Sequence, residues 1–142
     1  MTGVTTRTGL DLLHSEVTGE IIGAFYDVYH TLGYGFAELV YQRSLPVALR
    51  KRGVDSEREV SLIVTFDECV VGEYRADLIV AGKVIVETKT CEKILPVHEM
   101  QLVNYLRATG LNVGLILNFG PKPTFRRMFL SSPQKGSTIT RT

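Results

Sequence analysis

Two carboxylates and one ammonium group interrupt an otherwise apolar stretch of the sequence, YRADLIVAGKVIVETKT at residues 74–90. Asp77, Glu87 and Lys89 stand among leucine, isoleucine and valine residues of the kind that fill a buried sheet. An unpaired buried charge costs several kcal/mol, so these side chains need either structural partners or a function. A shared divalent cation would meet that need, because carboxylate oxygens suit hard Mg²⁺ or Mn²⁺.

The loop between the two strands decides whether such a site can form. If residues 81–83 make a three-residue loop, Val80 pairs with Val84, and Asp77 lies opposite Glu87 at about 5 Å. Carboxylates that close repel each other unless one is protonated or a cation lies between them. A two-residue loop would instead place them on opposite faces of the sheet and exclude a shared site.

Two interpretations of this pattern are open. In the first, Asp77 and Glu87 hold a metal, while the Lys89 ammonium positions a water and offsets charge on a phosphate oxygen. In the second, the charges form a surface ladder in which Lys89 or Arg75 pairs with Glu87. Spacing alone favours the second interpretation, because the pattern E-x-K occurs by chance in many strands.

Two predicted helices carry further polar side chains that could reach the same pocket. In GFAELVY, Glu38 and Tyr41 are three residues apart and share a helical face. In the third predicted helix, His98, Gln101 and Tyr105 share a face for the same reason. Each set alone is typical of a solvated helix stripe, but together with the strand residues they could surround one site.

The predicted elements follow the order α-α-β-β-β-α-β(-β), which indicates an α/β fold. Apolar periodicity predicts helices at about 13–32, 37–52 and 97–109, strands at about 60–66, 70–80, 84–90 and 112–118, and an added edge strand at 125–130. A meander of three strands followed by a helical crossover gives a mixed sheet of four or five strands flanked by helices. Pro46 is expected to kink or divide the second helix.

Length and composition fit one globular domain, with 142 residues, 44% hydrophobic and 22% charged. We expect this domain at residues 12–131, with polar, disordered segments at 1–11 and 132–142. No apolar run reaches the length of a membrane span, and no signal-peptide pattern is present. Cys69 and Cys91 lack metal or disulfide spacing, which favours a reducing cytoplasm. The net charge of +1 does not by itself indicate a nucleic-acid partner.

The sequence GFAELVY fits the motif GxxExxY at Gly35, Glu38 and Tyr41. From about Leu12 to Leu130 the chain resembles the small GxxExxY proteins, a branch of the PD-(D/E)xK nuclease superfamily. The likeness includes TGEIIGAFYDVY, LGYGF, VGEYRADLIV, KVIVETK, PVHEMQLVNYLRATGL and VGLILNFG, in that order. The resemblance implies a restriction-endonuclease-like αβββαβ core, which agrees with the predicted order of elements.

The resemblance also implies a catalytic role for the charged residues of the sheet. Asp77 and Glu87 would hold Mg²⁺ or Mn²⁺, with the Thr88 carbonyl as a further ligand, and Lys89 would orient or activate the attacking water. Glu38 matches the superfamily's first-helix carboxylate, which completes the site directly or through water. The Thr88 side chain, often leucine in the family, is expected to face away from the site.

Other residues would contact nucleic acid. Gln101 and Tyr105 match a Q-x-x-x-Y motif that, in exonuclease-like branches, contacts nucleic acid near the scissile phosphate. His98 and Tyr41 would line the same pocket. The basic residues would either contact phosphates or cover a solvated surface: Arg50, Lys51 and Arg52, together with Arg58, Arg126 and Arg127.

The sequence therefore predicts a Mg²⁺-dependent nuclease that hydrolyses phosphodiester bonds of DNA. The alternative is a module that keeps the nuclease fold and binds nucleic acid or protein without catalysis, which the short chain and weak basic character favour. A purely structural protein is the least favoured, because an intact carboxylate pair would then destabilise the fold without a use. Sequence specificity would require a homodimer, a protein partner or the basic residues named above.

Overall fold

The computed structural model describes residues 14–131 and 138–141. Within these ranges the elements are, in order, α1 (Ser15–Leu32), α2 (Glu38–Lys51), β1 (Ser56–Phe66), β2 (Cys69–Val80), β3 (Val84–Lys89), α3 (Pro96–Thr109), β4 (Val113–Phe119), β5 (Pro123–Phe129) and β6 (Thr138–Arg141). This order confirms the α/β class and the αβββαβ core. Among the helices of these ranges, none is long and apolar enough to cross a bilayer.

The strands form one mixed sheet in the order β5-β4-β3-β2-β1-β6. β3 and β4 are parallel and are joined through α3, while the other neighbouring strands are antiparallel. Between β2 and β3, Val80 lies opposite Val84 and Leu78 lies opposite Val86. This is the register predicted for a three-residue loop, so Asp77 and Glu87 are brought to the same place.

Helices cover both faces of the sheet. α1 and α2 pack on one face, where Phe25 and Leu45 meet strand residues such as Leu78. α3 packs on the other face, where Leu102 meets Ile85. Coverage on both faces explains the near-continuous apolar sequences of β3 and β4, whose residues are almost all buried.

The sheet has one strand more than the four or five expected. Residues 138–141 pair with residues 62–65 of β1, although they lie in the segment 132–142 that we expected to be disordered. The outer edge of β1 offers backbone donors and acceptors to any extended segment, and the β-branched sequence TIT suits that conformation. The expected disorder at 1–11 and 132–137 falls outside the described residues.

α2 continues through Pro46, so the predicted division of this helix is wrong. Proline removes one helical hydrogen bond, which ordinarily weakens a helix interior. Here Tyr41, Leu45 and Leu49 recur every four residues and are fully buried against the sheet. Packing of this apolar stripe maintains the helix, since tertiary contacts supply most helical stability in proteins.

Candidate active site

β2 and β3 separate at Asp77 and Glu87, and side chains replace the backbone ladder there. Regular pairing stops at the Leu78–Val86 pair. Beyond it, the backbone N–H of Asp77 donates to Glu87 Oε2 at 3.0 Å, and the backbone N–H of Thr88 donates to Asp77 Oδ2 at 2.8 Å. We call this point the fork; the two carboxylates lie inside it as direct neighbours.

An irregularity in β1 and β2 helps to position Asp77. Alternate residues of a strand ordinarily share a face, yet Ala76 packs toward α3 whereas Leu78 packs toward α1 and α2. On β1, Glu59 lies between the residues that pair with Ala76 and Leu78, and its φ of 51° is in the left-handed region. The pleat of both strands therefore reverses beside Asp77.

Glu87 has a strongly raised pKa. Its residue is only 5% exposed, and this burial, followed by the negative charge of Asp77, raises the pKa of Glu87 to about 8. The hydrogen bond from the Asp77 backbone and the charge of Lys89 oppose the rise, while Glu38 adds to it. Without a cation, the Glu87 carboxyl is therefore largely protonated at neutral pH.

Glu38, the first residue of α2, lies beside the fork. Partial burial raises its pKa, the charge of Lys89 lowers it, and the charge of Asp77 raises it further. The Gln42 side chain donates to Glu38 Oε2 at 3.2 Å and holds it toward the helix. Across the described ranges, no three acidic, histidine or cysteine side chains form a ready-made metal cluster. The charges of Lys89 and Asp77 both act on Glu38, so Glu38 lies in the same charged cluster as the fork.

The donor set of the fork fits a hard divalent cation that keeps several waters. In the described part of the chain, hydrogen bonds use Asp77 Oδ2 and Glu87 Oε2, which leaves the second oxygen of each carboxylate for a ligand. Mg²⁺ commonly binds one or two carboxylates and retains water in its other positions. A cation would also relieve the repulsion that raises the pKa of Glu87.

The Thr88 side chain lies inside the fork, so the expectation that it faces away is wrong. Its Oγ1 donates to Asp77 Oδ2 at 2.9 Å, alongside the Thr88 backbone N–H at 2.8 Å. The expectation assumed a regular pleat, whereas β2 and β3 have already separated at this point. Two donors on one oxygen fix the orientation of the Asp77 carboxylate.

α3 contributes a hydrogen-bonded pair beside the carboxylates. The Gln101 side chain donates to the Tyr105 hydroxyl at 3.2 Å. Burial, then the negative charges of Glu87 and Asp77, raise the pKa of Tyr105 to about 12. The Tyr105 hydroxyl therefore keeps its proton at physiological pH and can donate it to an anionic ligand.

His98, in the first turn of α3, lies near Lys89 at the end of β3. His98 Nδ1 accepts the Leu95 backbone N–H at 3.0 Å, so this histidine caps the helix. Partial burial and the positive charge of Lys89 lower the pKa of His98, which keeps the ring neutral at pH 7. Lys89 also acts electrostatically on Glu38 and Glu87, and it therefore belongs to the same cluster.

Tyr41 is fully buried, so the prediction that it contacts nucleic acid is wrong. Its ring stacks on Phe119 with centroids 4.4 Å apart. Its hydroxyl donates to the Gly33 carbonyl at 2.6 Å and accepts the Phe36 backbone N–H at 3.2 Å. Tyr41 thereby fixes the turn between α1 and α2, and with it the position of Glu38.

Two of the basic residues are engaged in ion pairs on the protein itself. Arg52 pairs with Glu20 at 2.9 Å and Asp27 at 3.0 Å, both on α1. Arg126 pairs with Glu99 at 2.8 Å. Their charges are already compensated, so the predicted phosphate contact of Arg52 is not supported by its surroundings.

The other basic residues do not form a common patch around the fork. Arg50 and Lys51 are exposed at the end of α2, about 18 Å from Glu38 by the rise of the helix. Arg58 is on β1 and Arg127 is on β5, with three strands between them. A phosphate contact of Arg50 or Lys51 would lie well away from Glu38, whereas Arg58 lies opposite Leu78, the chain neighbour of Asp77.

Comparison with known proteins agrees with the observed fold. The model of the PD-(D/E)XK nuclease superfamily matches residues 15–128, so the chain belongs to this superfamily. The crystal structure of SSO0001 is similar in fold, with a TM-score of 0.55 and 24% sequence identity. The likeness covers 86% of this chain and 61% of SSO0001, so this chain spans about three fifths of that protein. No curated protein matches the sequence significantly.

Proposed function

We propose that the protein is a Mg²⁺- or Mn²⁺-dependent nuclease of the GxxExxY branch that hydrolyses phosphodiester bonds of DNA. The main support is the pair of adjacent carboxylates, Asp77 and Glu87, in the fork. None of the ion pairs within residues 14–131 involves either carboxylate, so no basic side chain neutralises them directly. Two adjacent carboxylates, of which Glu87 is buried and Asp77 partly buried, are unfavourable without a partner and suit a cation.

In this proposal Asp77 and Glu87 hold the cation, with the Thr88 carbonyl as a further ligand and Glu38 acting through water. When bound, the cation polarises the phosphate and lowers the pKa of a nearby water. The Lys89 ammonium orients the attacking water and offsets the negative charge that develops on the phosphate oxygens. The two Thr88 donors hold the Asp77 carboxylate in one orientation throughout.

The residues of α3 bind the strand next to the scissile phosphate. The Tyr105 hydroxyl, protonated at physiological pH, donates to a phosphate oxygen, and Gln101 holds that hydroxyl in place. Neutral His98 offers its second ring nitrogen to the same strand. Arg50 and Lys51 would contact only more distant phosphates.

The proposal extends to the setting of the reaction. The working domain is residues 12–131, and the protein acts in the cytoplasm, where its two cysteines stay reduced. A domain of this size offers little surface for reading sequence beyond the site. A homodimer or a protein partner would therefore supply specificity.

Cleavage of labelled DNA tests the proposal. Single-stranded, blunt duplex and branched substrates are incubated with Mg²⁺, Mn²⁺ or EDTA. Asp77→Asn is expected to lower the rate by about 100-fold or more, because the amide binds a divalent cation poorly. Asp67→Asn is the matched control: it makes the same chemical change at an exposed turn, where a φ of 53° suits asparagine.

Equal cleavage by Asp77→Asn and Asp67→Asn would contradict the proposal. The absence of cleavage by the wild type on all three substrates, combined with salt-dependent DNA binding in EDTA, would favour the non-catalytic binding module instead.

A further inference from the structure

A groove of about 370 Å³ runs beside the fork, between α3 and the hairpin formed by β1 and β2. Its walls include Tyr74 from β2 and Met100, Asn104, Tyr105 and Arg107 from α3. The fork chemistry proposed above uses only Tyr105 of these five residues.

Tyr105 connects the groove to the fork. Its hydroxyl lies close enough to Glu87 and Asp77 for their charges to raise its pKa, while its ring lies 6.0 Å from the ring of Tyr74. The groove thus begins next to the place where a scissile phosphate would bind. A nucleotide adjacent to that phosphate would therefore lie beside the groove.

The groove offers flat apolar surface to an outside group. Tyr74 is 49% exposed and Met100 is 61% exposed, so both side chains remain accessible to a ligand. The two tyrosine rings are inclined by 50° with centroids 6.0 Å apart, so they are not stacked on each other. An exposed aromatic face beside an apolar wall is the kind of surface on which unpaired nucleobases stack.

The polar groups of the groove also suit a nucleotide. Arg107 donates to Asn104 Oδ1 at 3.2 Å, which leaves the Asn104 amide N–H groups free to donate to a base edge. Arg107 is the sole charged residue among the described walls, and it is positive. An apolar slot with amide donors and a guanidinium complements a base attached to a phosphate backbone better than it complements a purely apolar peptide.

We infer that the groove binds one unpaired base of the cleaved strand, stacked on Tyr74, and that the substrate has single-stranded or frayed nucleotides at the cleavage site. This inference rests on the proposed function for the position of the scissile phosphate. A base inside a duplex is covered by its stacked neighbours and cannot enter the groove unless it is extruded.

A fluorescent reporter tests this binding without any cleavage. The sequence contains no tryptophan, so Tyr74→Trp introduces a single indole at the stacking position. In EDTA, the variant is titrated with oligothymidylate, oligouridylate, an abasic strand of the same length and a blunt duplex. We expect saturable quenching by one or both of the first two strands and little by the last two. The relative response to the first two tells DNA from RNA.

The control variant is Phe125→Trp, which places the indole at a 38% exposed position on β5, outside the groove. It should not respond to oligothymidylate. Equal quenching of the two variants, equal quenching of Tyr74→Trp by the abasic strand, or no quenching by either base-bearing strand would overturn the inference.

Tyr74→Ala and Tyr74→Phe supply a second measurement. Loss of one stacked base should weaken oligothymidylate binding by about tenfold in Tyr74→Ala, while Tyr74→Phe keeps the ring and should bind as the wild type does. Affinity for the abasic strand should not change. Thermal melting checks that both variants are folded. If Tyr74→Ala and Tyr74→Phe bind oligothymidylate with equal affinity, stacking on Tyr74 is excluded.

The two proposals fail in different ways. If bases quench Tyr74→Trp in EDTA but no substrate is cleaved in Mg²⁺, the groove is a base-binding site and the nuclease proposal is wrong. If cleavage depends on metal but Tyr74→Ala cleaves single-stranded substrates at the wild-type rate, the nuclease proposal stands and the groove is not a base-binding site.

Discussion

β2 and β3 contain two different kinds of structure along a single pair of strands. Next to the loop at 81–83, residues 78–80 pair with residues 84–86 through the backbone ladder, and their apolar side chains are almost completely buried. One step further along, the carboxylates of Asp77 and Glu87 accept hydrogen bonds from the backbone in place of that ladder. The first half gains stability from burial, whereas the second half gives up stability and presents carboxyl oxygens to a ligand.

The apolar half of the two strands positions the polar half. Leu78 and Val86 adjoin Asp77 and Glu87, so the ladder that fixes the first pair also fixes the second. A slip of one residue would turn one carboxylate to the other face of the sheet. The functional geometry therefore depends on side chains that take no part in chemistry.

The largest effect on stability is expected in the apolar half. Leu78→Ala removes a fully buried side chain and should lower the free energy of unfolding by about 2–5 kcal/mol. Urea denaturation at pH 7 measures the change, with Leu39→Ala, at a 42% exposed position, as the control. A loss no greater than that of the control would show that the ladder does not depend on this packing.

In the polar half, stability without metal should fall as the pH rises from about 4.5 to 8. The pKa of Glu87 is about 8 in the folded protein, against a value of 4.5 when unperturbed, so between these values the folded state binds one proton more. The stabilisation is complete below pH 4.5 and is lost as the pH approaches 8, an effect on the order of a few kcal/mol.

Urea denaturation in EDTA at several pH values measures this slope. Glu87→Gln should reduce it, because the amide does not titrate yet can still accept the Asp77 backbone N–H. Identical slopes in the wild type and in Glu87→Gln would mean that Glu87 is ionised in the fold.

Mg²⁺ should raise the melting temperature by relieving the repulsion within the polar half. Ligand at 100 times its dissociation constant stabilises a folded protein by about 2.7 kcal/mol. Asp77→Asn should melt higher than the wild type in EDTA, because it removes one charge and its amide oxygen can still accept from Thr88. It should gain little from Mg²⁺. If Mg²⁺ leaves the wild-type melting temperature unchanged, and Asp77→Asn melts at the wild-type temperature in EDTA, the carboxylates do not repel each other.

Much of this arrangement could be predicted from local sequence. The loop AGK sets the pairing of Val80 with Val84, and the strand period then brings Asp77 and Glu87 together. The crossover from β3 through α3 to β4 follows from the order of the elements and the short connections. These features depend on residues close together in the chain, where periodicity carries most of the information.

Contacts between distant elements could not be predicted in this way. Helical spacing places Tyr41 on the face of Glu38, but its burial depends on Phe119 from β4. The pairing of Arg52 depends on Glu20 and Asp27 of another helix. β6 forms by pairing with the free edge of β1, and the sequence of residues 138–141 does not indicate which strand they pair with.

The orientation of the Thr88 side chain depends on both local and distant contacts, and its substitution gives the smallest predicted change in stability. Strand alternation alone turns its side chain away, but the fork lets its hydroxyl reach Asp77 Oδ2. Thr88→Val removes this donor and keeps the shape and the backbone N–H, so it should lower the free energy of unfolding by about 1 kcal/mol. Cleavage should fall by about tenfold, because the Asp77 carboxylate loses one of its two orienting donors.

Thr88→Ser is the matched variant, since it retains the hydroxyl and removes only a methyl group. Its rate of cleavage should stay near that of the wild type, while Thr88→Val is slower on the same substrate. Equal rates for the two variants would mean that the backbone N–H alone orients Asp77. The metal-binding geometry would then be set by the ladder of the apolar half, without help from the side chain inside the fork.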